Sequence, residues 1–309
     1  MNEALDRRLR ELAGSDGIWF QPNPGNAGDS MLTVAARQKF VRLGIQYREI
    51  GHGFDATDKV VVMGGGGNLV PHYGDLVHFL QRHHSKARRL VLLPQTIDGN
   101  EELLASLGSN ATIFCREKVS FAHCLRQTRE AEVLLGHDLA IDLDLAPLTP
   151  FASPLDLAAH LLGSVFVPGI GLADRRSRIR RLGGILGPWR QRSGSNGKVL
   201  HAMRGDVEGD IGRRPPPDNI DISAFLTLEH GTGRNAEFAT RLLLGWLSNY
   251  KSVKTDRLHV CIACGLLGLD VEFFPNNYFK CAAVWEHSLR DRFPNIRWAG
   301  IVHTSVGKN

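Results

Sequence analysis

The sequence lacks any apolar run long enough to cross a bilayer, and Met1 to Gly14 lack the apolar core of a signal peptide. It has five cysteines, an odd number that argues against a disulfide framework and favours a reducing compartment. Its one CxxC pair, Cys261 and Cys264, has no second ligand pair at the spacing that zinc requires, so both are interpreted as small core residues. These absences predict a cytoplasmic protein without a structural metal.

A strong excess of charge of one sign is also lacking. The chain carries 37 Lys and Arg residues against 32 Asp and Glu residues, which gives a formal net charge of +5. This excess is too small to indicate a nucleic-acid partner, but it suits an anionic substrate or an anionic membrane surface. With 43% hydrophobic residues in 309, the chain is typical of a soluble protein with a sizeable core.

Strand-like and helix-like segments alternate through the first half with short connections, which predicts an α/β fold with a parallel sheet between helices. A basic and then polar region, 173–198, interrupts this pattern before it resumes at Val199. Three prolines near residue 150 place the expected boundary between domains of residues 1–150 and 151–309. The predicted strands are Gly17–Phe20, Ile45–Ile50, Lys59–Met63, Arg89–Leu93, Ala111–Cys115, Glu132–Leu135, Leu139–Leu143, Val199–Met203, Ile220–Ile222, Tyr250–Lys254 and Asp270–Phe274.

An Asn- and Gly-rich loop, residues 23–30, follows the first predicted strand. Its glycines permit close approach of a backbone or a ligand, and Asp29 or Ser30 has the chemistry of a helix cap. The loop is not GxGxxG, so the dinucleotide fingerprint is missing. Capping explains Asp29 or Ser30 but not the whole loop, which favours a binding loop that includes Asn26 and Gly28.

Four more unusual sequences follow predicted strands. Gly64 to Gly67 are four consecutive glycines before Asn68, a costly run that suggests a ligand or a backbone against it; tight packing of the next helix explains it nearly as well. Gln95 follows another strand, as do Arg116 and Arg204. A solvated position is the commoner outcome for any single arginine, but the carboxyl ends of parallel strands form the ligand-binding edge of such sheets.

The hexapeptide Thr255-Asp256-Arg257-Leu258-His259-Val260 places an arginine and a histidine where a strand ends and a helix begins. A helix N-terminus favours anions. Taken alone, the hexapeptide is equally consistent with an anion-binding site and with a solvated turn residue Arg257 beside a buried first-turn residue His259. The other loops at the same predicted edge favour a binding site.

These motifs together resemble the polysaccharide pyruvyl transferases over residues 20 to 290. The resemblance implies two Rossmann-like parallel-sheet domains facing a cleft, similar to GT-B glycosyltransferases, and PEP-dependent (phosphoenolpyruvate-dependent) ketal formation on two sugar hydroxyls. By the same match, Arg257 and His259 take catalytic positions, and Arg116 matches a family arginine. The motifs that carry this resemblance are NPGNAGDSML, GGGGNLVPHYGD, LPQTI, FCREKVSF, RGD at Arg204, TDRLHVCIACGLLG and PNNYFK.

The reaction defines which groups are needed. PEP carries a carboxylate and a phosphate, so arginines are expected to clamp it, and a histidine can supply the proton that C3 takes. His259 is the expected acid, and Asp29 is the candidate base, with capping an equally good role. Arginine clamping makes a metal or another cofactor unnecessary, with PEP as co-substrate. The expected PEP contacts are Arg116, Arg204, Arg257 and Lys280, although Lys280 also fits a surface lysine; the expected acceptor or phosphate contacts are Asn26, Gly28, Gly65, Gly66, Asn68 and Gln95.

Residues Asp174 to Arg181 contain five arginines. A solvated helix face explains them, and so does peripheral contact with the anionic inner face of the cell membrane, where a lipid-linked oligosaccharide acceptor would lie. Two rival functions fit the same loops: a GT-B-like glycosyltransferase that uses a nucleotide sugar, and a non-catalytic module that binds anions or polysaccharide.

Overall fold

The computed structural model describes residues 2–13, 17–51, 53–165, 198–210, 212–226 and 235–300. The arginine-rich segment, residues 174–181, lies outside these ranges. The predicted α/β class is confirmed, because two parallel sheets are present with helices packed between and around their strands.

The first sheet has seven strands, all paired in parallel. Its order is β2-β1-β3-β5-β6-β7, and the short β4 pairs with the end of β5. The order reverses between β1 and β3, so a crevice opens there at the carboxyl ends of the strands. The strands are β1 Ile18–Gln21, β2 Tyr47–Glu49, β3 Val60–Met63, β4 Gly66–Leu69, β5 Arg89–Ile97, β6 Ala111–Cys115 and β7 Glu132–Leu135.

Among the described residues of this half, the structure has six α-helices: α1 Glu3–Ala13, α2 Ala27–Arg42, α3 Asp75–His83, α4 Glu101–Ser106, α5 Lys118–Gln127 and α6 Pro154–Val165. Strand β3 is Val-Val-Val-Met and is buried throughout, as a central strand covered on both faces should be. The apolar residues of β3 divide between two core clusters: Val62 belongs to one and Val61 to the other. Helices therefore cover both faces of the first sheet.

The second sheet has four parallel strands in the order β11-β10-β9-β8. They are β8 Val199–Ala202, β9 Ser252–Thr255, β10 Asp270–Phe273 and β11 Ile296–Trp298. The helices of this half are α7 Ile222–Phe225, α8 Ala236–Leu247, α9 Leu258–Leu267 and α10 Lys280–Val284, which continues into a π-helical turn, Trp285–Leu289. Cys261 and Cys264 are buried on α9 with free thiols, which confirms their interpretation as core residues.

One apolar cluster joins the two sheets. It includes Phe40 of α2, Leu244 of α8 and Val253 of β9. Helix α8 also approaches the chain before α6 closely: a Cβ on Gly245 would lie 2.3 Å from the Ala152 carbonyl oxygen. A side chain at residue 245 would therefore push α8 away from the segment that precedes α6. The boundary near residue 150 stays a prediction.

Four local predictions were wrong. Leu139–Leu143 is a 3₁₀ turn, Leu139–Asp142, rather than a strand, and Ile222 begins helix α7 rather than ending a strand. The last two glycines of the run begin strand β4, and β5 extends to Ile97, so Pro94-Gln95-Thr96 lie within β5. Strand β11 was not predicted. Among the residues that the structure describes, no helix combines the length and apolar character needed to cross a bilayer.

Candidate active site

A cavity of about 300 Å³ opens at the crevice between β1 and β3, and residues from both halves of the chain line it. The first half contributes residues after β1, β3 and β6, and the second contributes residues after β8 and β9 and at the start of α10. The lining residues are Pro24, Gly25, Asn26, Asp29, Gly67, Asn68, Tyr73, Asp75, Arg116, Arg204, Glu208, Ser223, Arg257, Leu258, His259 and Lys280.

The N-terminus of α2 forms one wall. Asn26 caps the helix by accepting the Gly28 amide at 2.8 Å, and the Asp29 carboxylate accepts the Asn26 amide at 3.0 Å. This reciprocal capping box satisfies two amides that have no helical partner. A Cβ on Gly28 would lie 2.7 Å from His259 Nδ1, so only glycine lets the imidazole lie this close to α2. The loop thus positions His259 from the opposite half of the chain.

The glycine run places backbone beside the cations. Gly66 has φ of 134°, a value that L side chains rarely adopt. The side-chain amide of Asn23 donates to the Gly65 carbonyl, and the side-chain amide of Gln95 donates to the Gly64 carbonyl. Both contacts hold the glycine run in place. A Cβ on Gly67 would lie 3.3 Å from Arg116 Nη2. Lack of a side chain at residue 67 therefore leaves room beside this guanidinium.

The hexapeptide joins β9 to α9 as the sequence predicts. Thr255 Oγ1 donates to the Ala202 carbonyl at 2.7 Å and accepts the Arg257 amide at 3.0 Å, which fixes the turn to β8. Arg257 is the N-cap of α9, and His259 lies in its first turn. Arg257 is only 4% exposed, so the solvated alternative is wrong. Its guanidinium donates to Asp221, with Nε at 2.8 Å from Oδ1.

Asp206 links two of the arginines. It accepts Arg204 Nε at 2.8 Å and lies 2.9 Å from Arg257 Nη2. Burial opposes its ionisation, but the hydrogen bonds from Arg204 and the two positive charges outweigh that effect and lower its pKa to about 2. The Arg204 amide donates to the Asp256 carboxylate at 2.8 Å. Burial in turn raises the pKa of Asp256. These contacts hold the loops after β8 and β9 together.

Glu208 is the centre of a buried polar cluster. Its carboxylate is 2% exposed, lies 2.8 Å from Arg204 Nη1, and pairs with the Lys280 ammonium. The Tyr278 hydroxyl donates to its other oxygen at 3.3 Å. Burial lowers the pKa of Lys280, and the charge of Glu208 opposes that shift. Burial, followed by the charge of Glu208, raises the pKa of Tyr73 to about 12, so its phenol remains protonated at neutral pH.

Arg116 and His259 meet at Asp138. Arg116 is 1% exposed; its Nη1 lies 2.7 Å from Asp138 Oδ2, and its Nε donates to Thr96 Oγ1 at 2.8 Å. His259 Nε2 lies 3.6 Å from the same Asp138 oxygen. Burial would raise the pKa of Asp138, but the charge of Arg116 and the contact with His259 outweigh burial and hold it well below its ordinary value. Asp138 is therefore a buried carboxylate anion.

The family model described as polysaccharide pyruvyl transferase matches residues 26–269, which is most of the chain and nearly all of the cavity lining. The chain belongs to the polysaccharide pyruvyl transferase family. A protein described as functionally uncharacterized, from Klebsiella pneumoniae subsp. pneumoniae, has a similar crystal structure, with 26% identity, a TM-score of 0.72, and coverage of 97% of this chain and 99% of that chain. A comparison with curated proteins gives no significant match.

The cavity brings together most of the site residues predicted for this pyruvyl transferase. Those that line it are Asn26, Asp29, Asn68, Arg116, Arg204, Arg257, His259 and Lys280. Lys280 is 5% exposed, so the surface-lysine alternative is wrong. Gln95 is fully buried and its side chain donates to the Gly64 carbonyl, and Gly65 and Gly66 are also buried. Gly28 packs against His259. None of these four residues, Gln95, Gly65, Gly66 and Gly28, lines the cavity.

Sequence reasoning missed the carboxylates that hold the cations. Asp138 follows β7, but residues 139–143 were predicted to be a strand, so the loop that carries Asp138 was not recognised. Asp206 and Glu208 lie in the same loop as Arg204, and the spacing of four between Arg204 and Glu208 was the available signal. Asp221 had no local signal. In the described part of the chain, no group of three or more His, Cys, Asp or Glu side chains is arranged to hold a metal ion.

Proposed function

We propose that this pyruvyl transferase moves the enolpyruvyl carbons of PEP onto two hydroxyls of one sugar residue and releases phosphate. The sugar belongs to an exopolysaccharide or to its lipid-linked precursor. The observation that carries the proposal is the convergence of four cations and one histidine, drawn from both sheets, on a single cavity. The cations are Arg116, Arg204, Arg257 and Lys280.

Donor binding uses the cations. PEP presents a carboxylate and a phosphate, and planar guanidinium groups bind such groups through two parallel hydrogen bonds. Arg116 holds its Nη2 towards the space beside Gly67, while Asp138 and Thr96 take its Nη1 and Nε. Arg204 and Arg257 are paired with Asp206 in the structure, so PEP must compete with that carboxylate. This competition favours a ligand with more than one negative charge.

Proton transfer begins with His259. Its proton passes to C3 of PEP as positive charge develops at C2, which one sugar hydroxyl attacks. Loss of the hydroxyl proton to a base leaves a tetrahedral carbon that bears phosphate. The C2–O bond to phosphate then breaks, phosphate leaves, and the second hydroxyl closes the ketal. One of the two hydroxyl protons restores the proton that His259 gave to C3, and the other leaves with phosphate.

Asp29 is the proposed base for the sugar hydroxyls. Its carboxylate already accepts the Asn26 amide, and it lines the cavity. Gly25 is necessary for this position, because a Cβ there would lie 2.1 Å from Asp29 Oδ2. Capping and base catalysis are compatible, since a carboxylate has acceptor sites for more than one hydrogen.

Donor specificity can be tested by ligand-dependent thermal unfolding. A ligand at about 100 times its Kd stabilises the folded state by about 2.7 kcal/mol. We expect PEP to raise the unfolding temperature, nucleotide sugars to have no effect, and Arg257→Lys to weaken the PEP effect. Arg126→Lys, which changes an exposed arginine on α5, is the matched control. Protection by a nucleotide sugar instead would indicate the glycosyltransferase alternative, and PEP binding without phosphate release would indicate the binding module.

A further inference from the structure

One buried carboxylate contacts both the proposed PEP clamp and the proposed acid. Asp138 is fully buried and follows β7, at the carboxyl edge of the first sheet. Its Oδ1 accepts the Ala140 amide at 2.9 Å, and its Oδ2 lies 2.7 Å from Arg116 and 3.6 Å from His259. Three donors from three different parts of the chain therefore surround this carboxylate.

We propose that Asp138 is the positioning residue of the site: it orients His259 with the proton on Nε2 and directs Arg116 towards the donor. This inference rests on the acid role proposed for His259. A carboxylate anion accepts hydrogen bonds and donates none, so the imidazole nitrogen that faces it must carry a proton. His259 Nε2 is buried and has no hydrogen-bond partner at normal distance within the described residues. Closure of the 3.6 Å gap would satisfy it.

This orientation leaves Nδ1 for chemistry. His259 lines the cavity, and Nδ1 is on the side of Gly28 at the start of α2. When Nδ1 is also protonated, the negative charge of Asp138 stabilises the resulting imidazolium, as the orienting carboxylate of a catalytic triad does. The other charged groups that line the cavity are Asp29, Asp75, Arg116, Arg204, Glu208, Arg257 and Lys280.

The same oxygen also orients Arg116. Asp138 and Thr96 take two of its three nitrogens, which leaves Nη2 near Gly67. A single carboxylate thus sets the relative position of a donor-binding arginine from the first half and a histidine from the second. Displacement of either group by about 1 Å is enough to reduce the rate of a positioned reaction.

Asp138→Asn tests the proposal because an amide has one oxygen for three donors. Whichever way it turns, its NH₂ group faces Arg116, His259 or the Ala140 amide. We expect kcat to fall about 10²-fold or more, with a smaller change in KM for PEP. The matched control is Asp142→Asn, which removes a carboxylate of the same segment that lies 3.3 Å from the buried Lys39 and away from the cavity. Activity of Asp138→Asn within about threefold of Asp142→Asn would overturn the proposal.

The tautomer of His259 gives a readout that is independent of turnover. Imidazole NMR of unsubstituted protein with isotope-labelled histidine, assigned with His259→Asn, shows which nitrogen carries the proton in the neutral ring. We expect Nε2 to be protonated and Nδ1 to be bare. A proton on Nδ1 would overturn the proposal even if Asp138→Asn failed to fold. If PEP and sugars gave no ketal, the proposed function would fail, and the NMR result would still decide how Asp138 holds the ring.

Discussion

Glu208→Gln is the change with the most specific consequences for stability. The substitution keeps the side-chain volume but removes the negative charge that faces the Lys280 ammonium and Arg204. Breaking a buried ion pair by removing one partner costs about 3–5 kcal/mol, because the remaining charge is left without compensation. Arg204 retains Asp206 at 2.8 Å, which places the loss at the lower end of this range. We therefore expect the free energy of unfolding to fall by about 3 kcal/mol.

The pH dependence gives a second measure of the same contact. Burial would raise the pKa of Glu208, but the charges of Lys280 and Arg204 outweigh it and lower the pKa from its ordinary value of 4.5. The folded state therefore binds fewer protons than the unfolded state near that pH. The stabilisation is present above pH 4.5 and is lost as the pH falls through the folded-state pKa. The Glu208→Gln variant has no carboxylate at this position, so it should not show this loss of stability in acid.

Denaturant unfolding at pH 7 and across the acid range measures both effects. Glu286→Gln is the matched control: Glu286 is an exposed glutamate in the π-helical turn that follows the helix of Lys280, and its substitution should change stability by less than about 0.5 kcal/mol. Glu208 would have no such role if Glu208→Gln were as stable as the control at pH 7, or if the stability of the variant fell with acid as steeply as that of the unsubstituted protein.

Four further outcomes are expected. Arg257→Lys keeps the charge but loses the planar guanidinium that contacts Asp221 and Asp206. PEP binding should therefore weaken and kcat should drop in steady-state assays, with folding retained. His259→Ala should lose about 10²-fold or more in turnover. Near-normal turnover of either variant would remove that residue from the mechanism. Activity should persist in excess chelator and without NAD; full loss on chelation, restored by one divalent ion, would show a metal requirement. Replacing the five arginines of residues 175–181 with glutamine should weaken sedimentation with anionic vesicles in a salt-sensitive manner and leave activity on a soluble acceptor unchanged; no vesicle binding by the parent protein would favour a solvated face.

The sequence predicts the place of the site better than its internal contacts. Arg116, Arg204 and Arg257 each follow a strand, and parallel strands present their carboxyl ends at one edge, so local patterns were enough to group them. The pairing of their charges depends on separations that no local pattern shows. Asp138 is 22 residues from Arg116, and Asp221 is 36 residues from Arg257.

The errors in the fold have a similar cause. Residues 139–143 are apolar except for Asp142, and so short an apolar run does not distinguish a buried strand from a buried helical turn. Asp138 decides between them, because its carboxylate accepts the Ala140 amide and starts a 3₁₀ turn. The glycine run was expected to be a loop, but β5 extends past Leu93 and offers Gln95 and Ile97 as partners for a short strand.

The proposed reaction transfers the PEP carbons to a sugar as a ketal. The most direct measurement follows PEP that is isotopically labelled at C2, incubated with this protein and a panel of soluble and lipid-linked oligosaccharides, by mass spectrometry and carbon NMR of the sugar. We expect the label to appear in the sugar as a ketal carbon, with one phosphate released for each ketal formed. Label recovered only as free pyruvate, or unchanged PEP beside a consumed nucleotide sugar, would contradict it.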